Sequence, residues 1–148
     1  MRIVPCPPHQ TRAVVELWRA SFAHGVGLED PHPFDEHHRY FVEQVLPHHT
    51  VRVALDAESP VGFMASTPES IAQLYVGVSH IGRGIGSALV RLAQAEAAGQ
   101  LWLHTFAHNH RARRFYEHHG FIEVERESAN MWNMEAIKYL WQRAEATP

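Results

Sequence analysis

The segment that most restricts the fold of this chain starts at Gln73-Leu74-Tyr75-Val76, an apolar strand. It runs through Gly82-Arg83-Gly84-Ile85-Gly86-Ser87 into the helical run that begins Ala88-Leu89-Val90. The first N–H groups of a helix have no intrahelical acceptor and lie at its positive dipole end, and glycines let a bulky anion approach the backbone. The run therefore reads as an anion cradle, although glycines also serve tight turns and the run alone does not decide between the two. A dinucleotide fingerprint needs G-x-G-x-x-G and an acidic residue about twenty positions on. Here Gly82, Gly84 and Gly86 alternate, and no such acid follows. A Walker A loop needs a lysine followed by Ser or Thr, which Ile85-Gly86-Ser87 does not supply.

The 148 residues suit one domain, taken as 1–148, and a hydrophobic fraction of 45% with 20% charged residues argues against disorder. Net charge is -3, and the 13 basic residues are scattered apart from Arg111, Arg113 and Arg114, so no broad nucleic-acid footprint is expected. A small-molecule partner is expected instead. Cys6 stands alone, which excludes an internal disulfide framework, and the N-terminus has no apolar leader run. Apolar stretches are too short to cross a bilayer, so the expectation is a cytoplasmic chain without a membrane partner. The 13 histidines, with pairs at His37-His38, His48-His49 and His118-His119, invite a metal reading. No H-E-x-x-H or cysteine pair accompanies them, so no metal is expected and surface histidines are preferred.

Along the chain, Arg2 to Pro5 reads as a strand, and a helix begins near Thr11 with Val14, Leu17, Trp18 and Phe22 as its apolar stripe. Gly25 and Gly27 are expected to end it. A second helix is expected from Asp35 as N-cap to Pro47, with Phe41, Val42, Val45 and Leu46 inward. Val51, Val53 and Leu55 alternate, and after a turn Val61 to Ala65 return as a hairpin. A strand over Ile71 to Val78, a helix over Gly84 to Ala98 and a strand over Leu101 to Phe106 form a β-loop-α-β unit. A short helix from Ala112 to His119 stops at Gly120, and strands follow at Phe121 to Glu127 and Ile137 to Trp141.

With these residues in place the chain resembles the GNAT acetyltransferases, whose loop motif Q/R-x-x-G-x-G/A appears here as Ile81-Gly82-Arg83-Gly84-Ile85-Gly86. A second family signature, N-x-x-A-x-x-F-Y-E-x-x-G-F, matches Asn109, Ala112, Phe115-Tyr116-Glu117 and Gly120-Phe121. The resemblance is close from Val51 to Trp141 and looser before that. Ile81 replaces the family's Gln or Arg, and Gly77-Val78 its frequent Asp-Pro. It implies an α/β (α+β) fold, a mixed, mostly antiparallel sheet of six to seven strands flanked by about four helices. It also implies an N-acetyltransferase that uses acetyl-CoA as cosubstrate, with a small-molecule or peptide amine as acceptor and a homodimer left open.

By the same resemblance, backbone N–H groups of Gly82, Arg83, Gly84, Ile85, Gly86 and Ser87 hold the pyrophosphate. Leu74, Tyr75 and Val76 pair with pantetheine as an added strand, and the Val76 N–H faces the thioester carbonyl. Asn109 binds pantetheine, caps a helix, or does both. Tyr116 takes the place of the acid that protonates the leaving thiolate, or is a core residue. His104, five residues before Asn109, is the candidate base that deprotonates the amine, with Glu29, Asp30, Gln73 and His32 as competitors. The stretch Met131-Trp132-Asn133-Met134-Glu135 after Asn130 reads as an apolar rim of the acceptor pocket, or as packing. Two other readings stay open, a GNAT fold that binds acyl-CoA without turnover and an unrelated histidine-rich metal binder.

Overall fold

The computed structural model describes residues 1–128 and 132–144. Alternation of Val51, Val53 and Leu55 places these side chains on one face of strand β2 (Thr50–Asp56) and Ala54 on the other. β1 (Arg2–Pro5), β2, β3 (Ser59–Thr67) and β4 (Ser70–Val76) form an antiparallel run, and β5 (Gln100–Phe106), β7 (Ala136–Gln142) and β6 (Ile122–Glu127) complete a sheet of seven strands in the order β1-β2-β3-β4-β5-β7-β6. The fold class is therefore α+β, with a mixed and mostly antiparallel sheet and, among the described residues, four α-helices.

Helix α1 (Thr11–Val26) buries Val14, Val15, Trp18, Phe22 and Val26 against the β2–β3 surface, a stripe at three- and four-residue spacing. It runs through Gly25 and stops at Gly27, whose φ of 82° and N–H bond to the Ala23 carbonyl at 2.9 Å make the left-handed cap. Helix α2 (Phe34–Tyr40) follows Pro33 rather than starting on Asp35, because the fixed proline φ already suits a helix start. Asp35 lies in the first turn and pairs with Arg12 at 3.5 Å. The expected long helix then widens into a π turn, Phe41–Val45, in which the Leu46 N–H reaches back to the Phe41 carbonyl. That wider turn buries Phe41 and Val45 but swings Val42 outward, 39% exposed.

On the opposite face lie α3 (Ile85–Glu96) and α4 (His110–His118), packed over Met64, Ile71, Leu101, Leu103, Ile137 and Tyr139. Gly62 lets α3 come close: a Cβ there would lie 2.9 Å from Ile85 Cγ2. The first residue of α3 is thereby pinned to the sheet, which fixes the helix start where it is needed. β4 stops two residues before its expected end. Gly77 donates to the Val61 carbonyl at 2.8 Å, and a 3₁₀ turn over Val78–His80 leads into the glycine loop.

Candidate active site

Gly82 and Gly84 both have φ of 84°, and a Cβ on either would meet nothing within 4 Å. Their role is thus conformational, since side chains rarely adopt this backbone region. Gly84 is the N-cap of α3, and the Ala88 N–H is bonded to its carbonyl at 3.0 Å. Helix geometry leaves the N–H groups of Ile85, Gly86 and Ser87 without intrahelical acceptors, aimed out of the dipole's positive end. Gly86 has a different task, close packing: a Cβ there would lie 3.1 Å from Phe115 Cζ, so α4 sits directly against the loop. The Ser87 hydroxyl bonds His119 Nε2 at 2.9 Å, tying the far end of α4 to the same turn.

β4 and β5 are parallel and share one registered pair, Ser70 with Trp102. Beyond it the strands part. A cavity of about 780 Å³ opens between them, lined by Ile71 to Val76 on one side and Leu103 to Phe106 on the other. Its walls include members of both core clusters, Leu103 and Tyr116 from the α3 face and Phe22 and Phe106 from the α1 face. The cavity therefore passes through the sheet. At one end stands the glycine loop, and along the β4 wall a strand edge faces open space where an extended ligand could add as a further strand.

Leu74, Tyr75, Val76, Gly82, Gly84, Ile85, Gly86, Ser87, Asn109, Tyr116 and His104 all line this cavity. Arg83 does not; it is exposed between the two left-handed glycines. Asn109 caps α4 by accepting the Ala112 N–H at 3.3 Å, and its Nδ2 faces Gly25, where a Cβ would be 3.1 Å away. Tyr116 is buried, with its ring 5.7 Å from Phe121 and 6.5 Å from Tyr139. Burial pushes its phenol well above the ordinary value, and the neighbouring Tyr75 adds to this. Among the described residues its hydroxyl makes no hydrogen bond and no buried polar side-chain atom lacks a partner, so the hydroxyl opens onto the cavity. His104 is exposed, 5.5 Å from the Trp102 ring, on the face opposite Leu103.

The Acetyltransferase (GNAT) family model matches residues 11–121, three quarters of the chain. The chain belongs to that family. Solved GNAT-like structures share its fold along nearly their whole length. The apo-form solution structure of YjaB from Escherichia coli is 22% identical, with a TM-score of 0.77, over 95% of this chain and 96% of that one. The PaiA N-acetyltransferase from Thermoplasma acidophilum in complex with coenzyme A is 14% identical at TM-score 0.73, covering 96% and 98%. A chain of the NatC complex bound to Gag peptide and CoA is 24% identical at TM-score 0.70, covering 97% and 100%. No curated protein sequence matches this chain closely enough to count as a relative.

Within this GNAT chain the competing bases separate. Gln73 lines the cavity, whereas Glu29, Asp30 and His32 lie outside its wall. Asp30 is engaged elsewhere: its carboxylate accepts the His32 N–H at 2.9 Å, lies 2.7 Å from His32 Nδ1, and is 3.7 Å from His37 Nδ1. Burial alone would raise its carboxyl, but the bonds from His32 and the nearness of His37 together hold it below the usual range. Sequence reading missed other residues of the wall, among them His24 on α1, His80 in the 3₁₀ turn, Arg111 and Arg114 on α4, and Glu127, which the β5–β7 and β7–β6 registers bring in. Met131, read as part of the rim, falls outside the described residues, while Trp132 does line the cavity. Among the described residues no group of three His, Cys, Asp or Glu could hold a metal ion, and no helix is long and apolar enough to cross a membrane.

His37 yields a stability prediction. It is buried edge-on against Trp18 at 4.4 Å, and burial lowers its imidazole, with Arg19 and His32 acting the same way against the opposing pull of Asp30. The unfolded chain takes up the proton first, near about pH 6.5, so this contribution is complete above that value and is lost as pH falls below it. Melting temperature should therefore drop on acidification from pH 7.5 to 5.5, and His37→Gln should flatten the drop; an equal slope in both chains would remove His37 from the explanation.

Proposed function

We propose that this chain is an acetyl-CoA-dependent N-acetyltransferase that passes the acetyl group directly to the amine of a small molecule or peptide. The observation that carries the reading is the through-sheet cavity, with a helix N-terminus at one end and the separated β4 edge along its middle. The N–H groups of Ile85, Gly86 and Ser87 suit a pyrophosphate, and the β4 backbone at Leu74 to Val76 suits the amides of an extended pantetheine arm. A thioester held there lies within the stretch where His104 and Tyr116 share the wall.

In the reaction the amine nitrogen attacks the thioester carbonyl carbon, a C–N bond forms, and the C–S bond breaks. One proton leaves nitrogen and one is gained by sulfur. His104, free of hydrogen bonds and ion pairs among the described residues, accepts the nitrogen's proton. Tyr116 donates to the sulfur. Its raised phenol stays protonated at neutral pH, yet a thiol resembling cysteine titrates near about 8.5, so full transfer from the phenol is uphill. Its contribution is a hydrogen bond to the developing thiolate, and the net proton comes from the amine.

The test is thiol release with one fixed amine, compared in the two chains under the same conditions. His104→Gln should lower the rate about 100-fold while the acetyl-CoA-induced rise in melting temperature stays in place. A variant with the original rate would exclude His104 as the base.

A further inference from the structure

The acceptor end of the cavity has a composition of its own. On the α1 side, Phe22 lies 5.0 Å from Trp132 at 42° and 6.4 Å from Phe106 at 74°, three rings that meet at an angle. Phe22 is buried, Phe106 and Trp132 are half-buried, and all three line the cavity. Phe106 follows His104 by two residues on β5, so both share a face and lie about 7 Å apart along the strand. An amine placed at His104 therefore meets an apolar wall within a few bonds of its nitrogen.

The polar counterpart comes from the neighbouring strands. Phe106 pairs with Ala136, and Ala136 with Glu127, so these three side chains stand in a row on one face across β5, β7 and β6. The small Ala136 leaves room between the ring and the carboxylate. Among the described residues Glu127 is the one Asp or Glu on the cavity wall, and it makes no hydrogen bond or ion pair there. A single carboxylate beside aromatic faces suits one ammonium attached to an apolar body, since ring faces and carboxylate both attract the cation while the rings bury the body. A polyamine would leave its remote ammonium groups against apolar surface, where an unpaired charge is costly.

We propose that this site selects a small primary amine bearing an aromatic or similarly bulky apolar group, with Phe22, Phe106 and Trp132 holding the group and Glu127 drawing in the ammonium. The assignment rests on the acetyl-transfer reading above. It is tested by thiol release from acetyl-CoA with the full chain and 2-phenylethylamine, ethanolamine or spermidine as acceptor. The kcat/KM for 2-phenylethylamine should exceed that for ethanolamine on the order of 30-fold, the gain expected for burying a ring. Trp132→Ala should reduce that ratio on the order of tenfold, chiefly through KM for 2-phenylethylamine. Glu127→Gln should raise KM for the amine about tenfold. Spermidine or ethanolamine as the best acceptor, or a ratio untouched by Trp132→Ala, overturns the substrate assignment while acetyl transfer stands. The ranking uses the unsubstituted chain, so it decides the matter even if a variant fails to fold. Thiol release with none of the amines, while CoA still raises the melting temperature, overturns the transfer reading and this assignment with it.

Discussion

Gly84→Asp should abolish the rise in melting temperature that acetyl-CoA confers on the unsubstituted chain. A ligand that binds only the folded state stabilises it by mass action, about 2.7 kcal/mol at a hundredfold excess over Kd. The substitution acts twice at the cradle. It sets a carboxylate where a pyrophosphate would meet the unpaired N–H groups of Ile85, Gly86 and Ser87, and it burdens a φ of 84°. The second effect is small, because Asp is among the residues that visit this region at roughly 1 kcal/mol, and its Cβ would meet nothing within 4 Å. Without ligand the variant should therefore melt only a few degrees lower. Gly84→Ala carries the strain without the charge and should keep part of the ligand-induced rise. An undiminished rise in the Asp variant would show that the loop is not where the anion binds.

Tyr116→Phe should lower kcat about 100-fold while leaving the acetyl-CoA-induced rise in melting temperature in place. The ring remains to pack against Phe121 and Tyr139, so stability should change little; only the hydroxyl that opens onto the cavity is removed. The size of the loss reports how much the sulfur depends on a donated hydrogen bond as the C–S bond breaks. A variant that turns over at the original rate would make Tyr116 a core residue and nothing more.

Much of this site was legible because its chemistry is local in sequence. Gly82 to Ser87 and Asn109 to Phe121 each carry their own geometry, a left-handed cap in one and an Asn-capped short helix in the other, so their spacing was enough. The strand alternation that sets His104 opposite Leu103 was equally local. What escaped was set at a distance. Gly25 looked like a helix stop, but its small size serves the approach of Asn109 from the β5–α4 loop. Glu127 reaches the cavity only through the β6–β7 and β7–β5 registers, with an irregularity between Glu123 and Glu125 that no pattern in the strand announces. Val42 turned outward because a π turn replaced α geometry, a change of period that apolar spacing does not encode.

The proposed reaction moves an acetyl group from a thioester to an amine within the cavity. Its most direct measurement follows acetyl-CoA carrying an isotopically labelled acetyl group, with 2-phenylethylamine as acceptor, and counts both products by mass spectrometry and thiol titration. Labelled N-acetyl amine and free CoA thiol should form in equal amounts, and only when protein, thioester and amine are all present. Thermal stabilisation by acetyl-CoA with no labelled amide from this or any other amine would contradict it, and would make the chain an acyl-CoA-binding member of the family rather than a transferase.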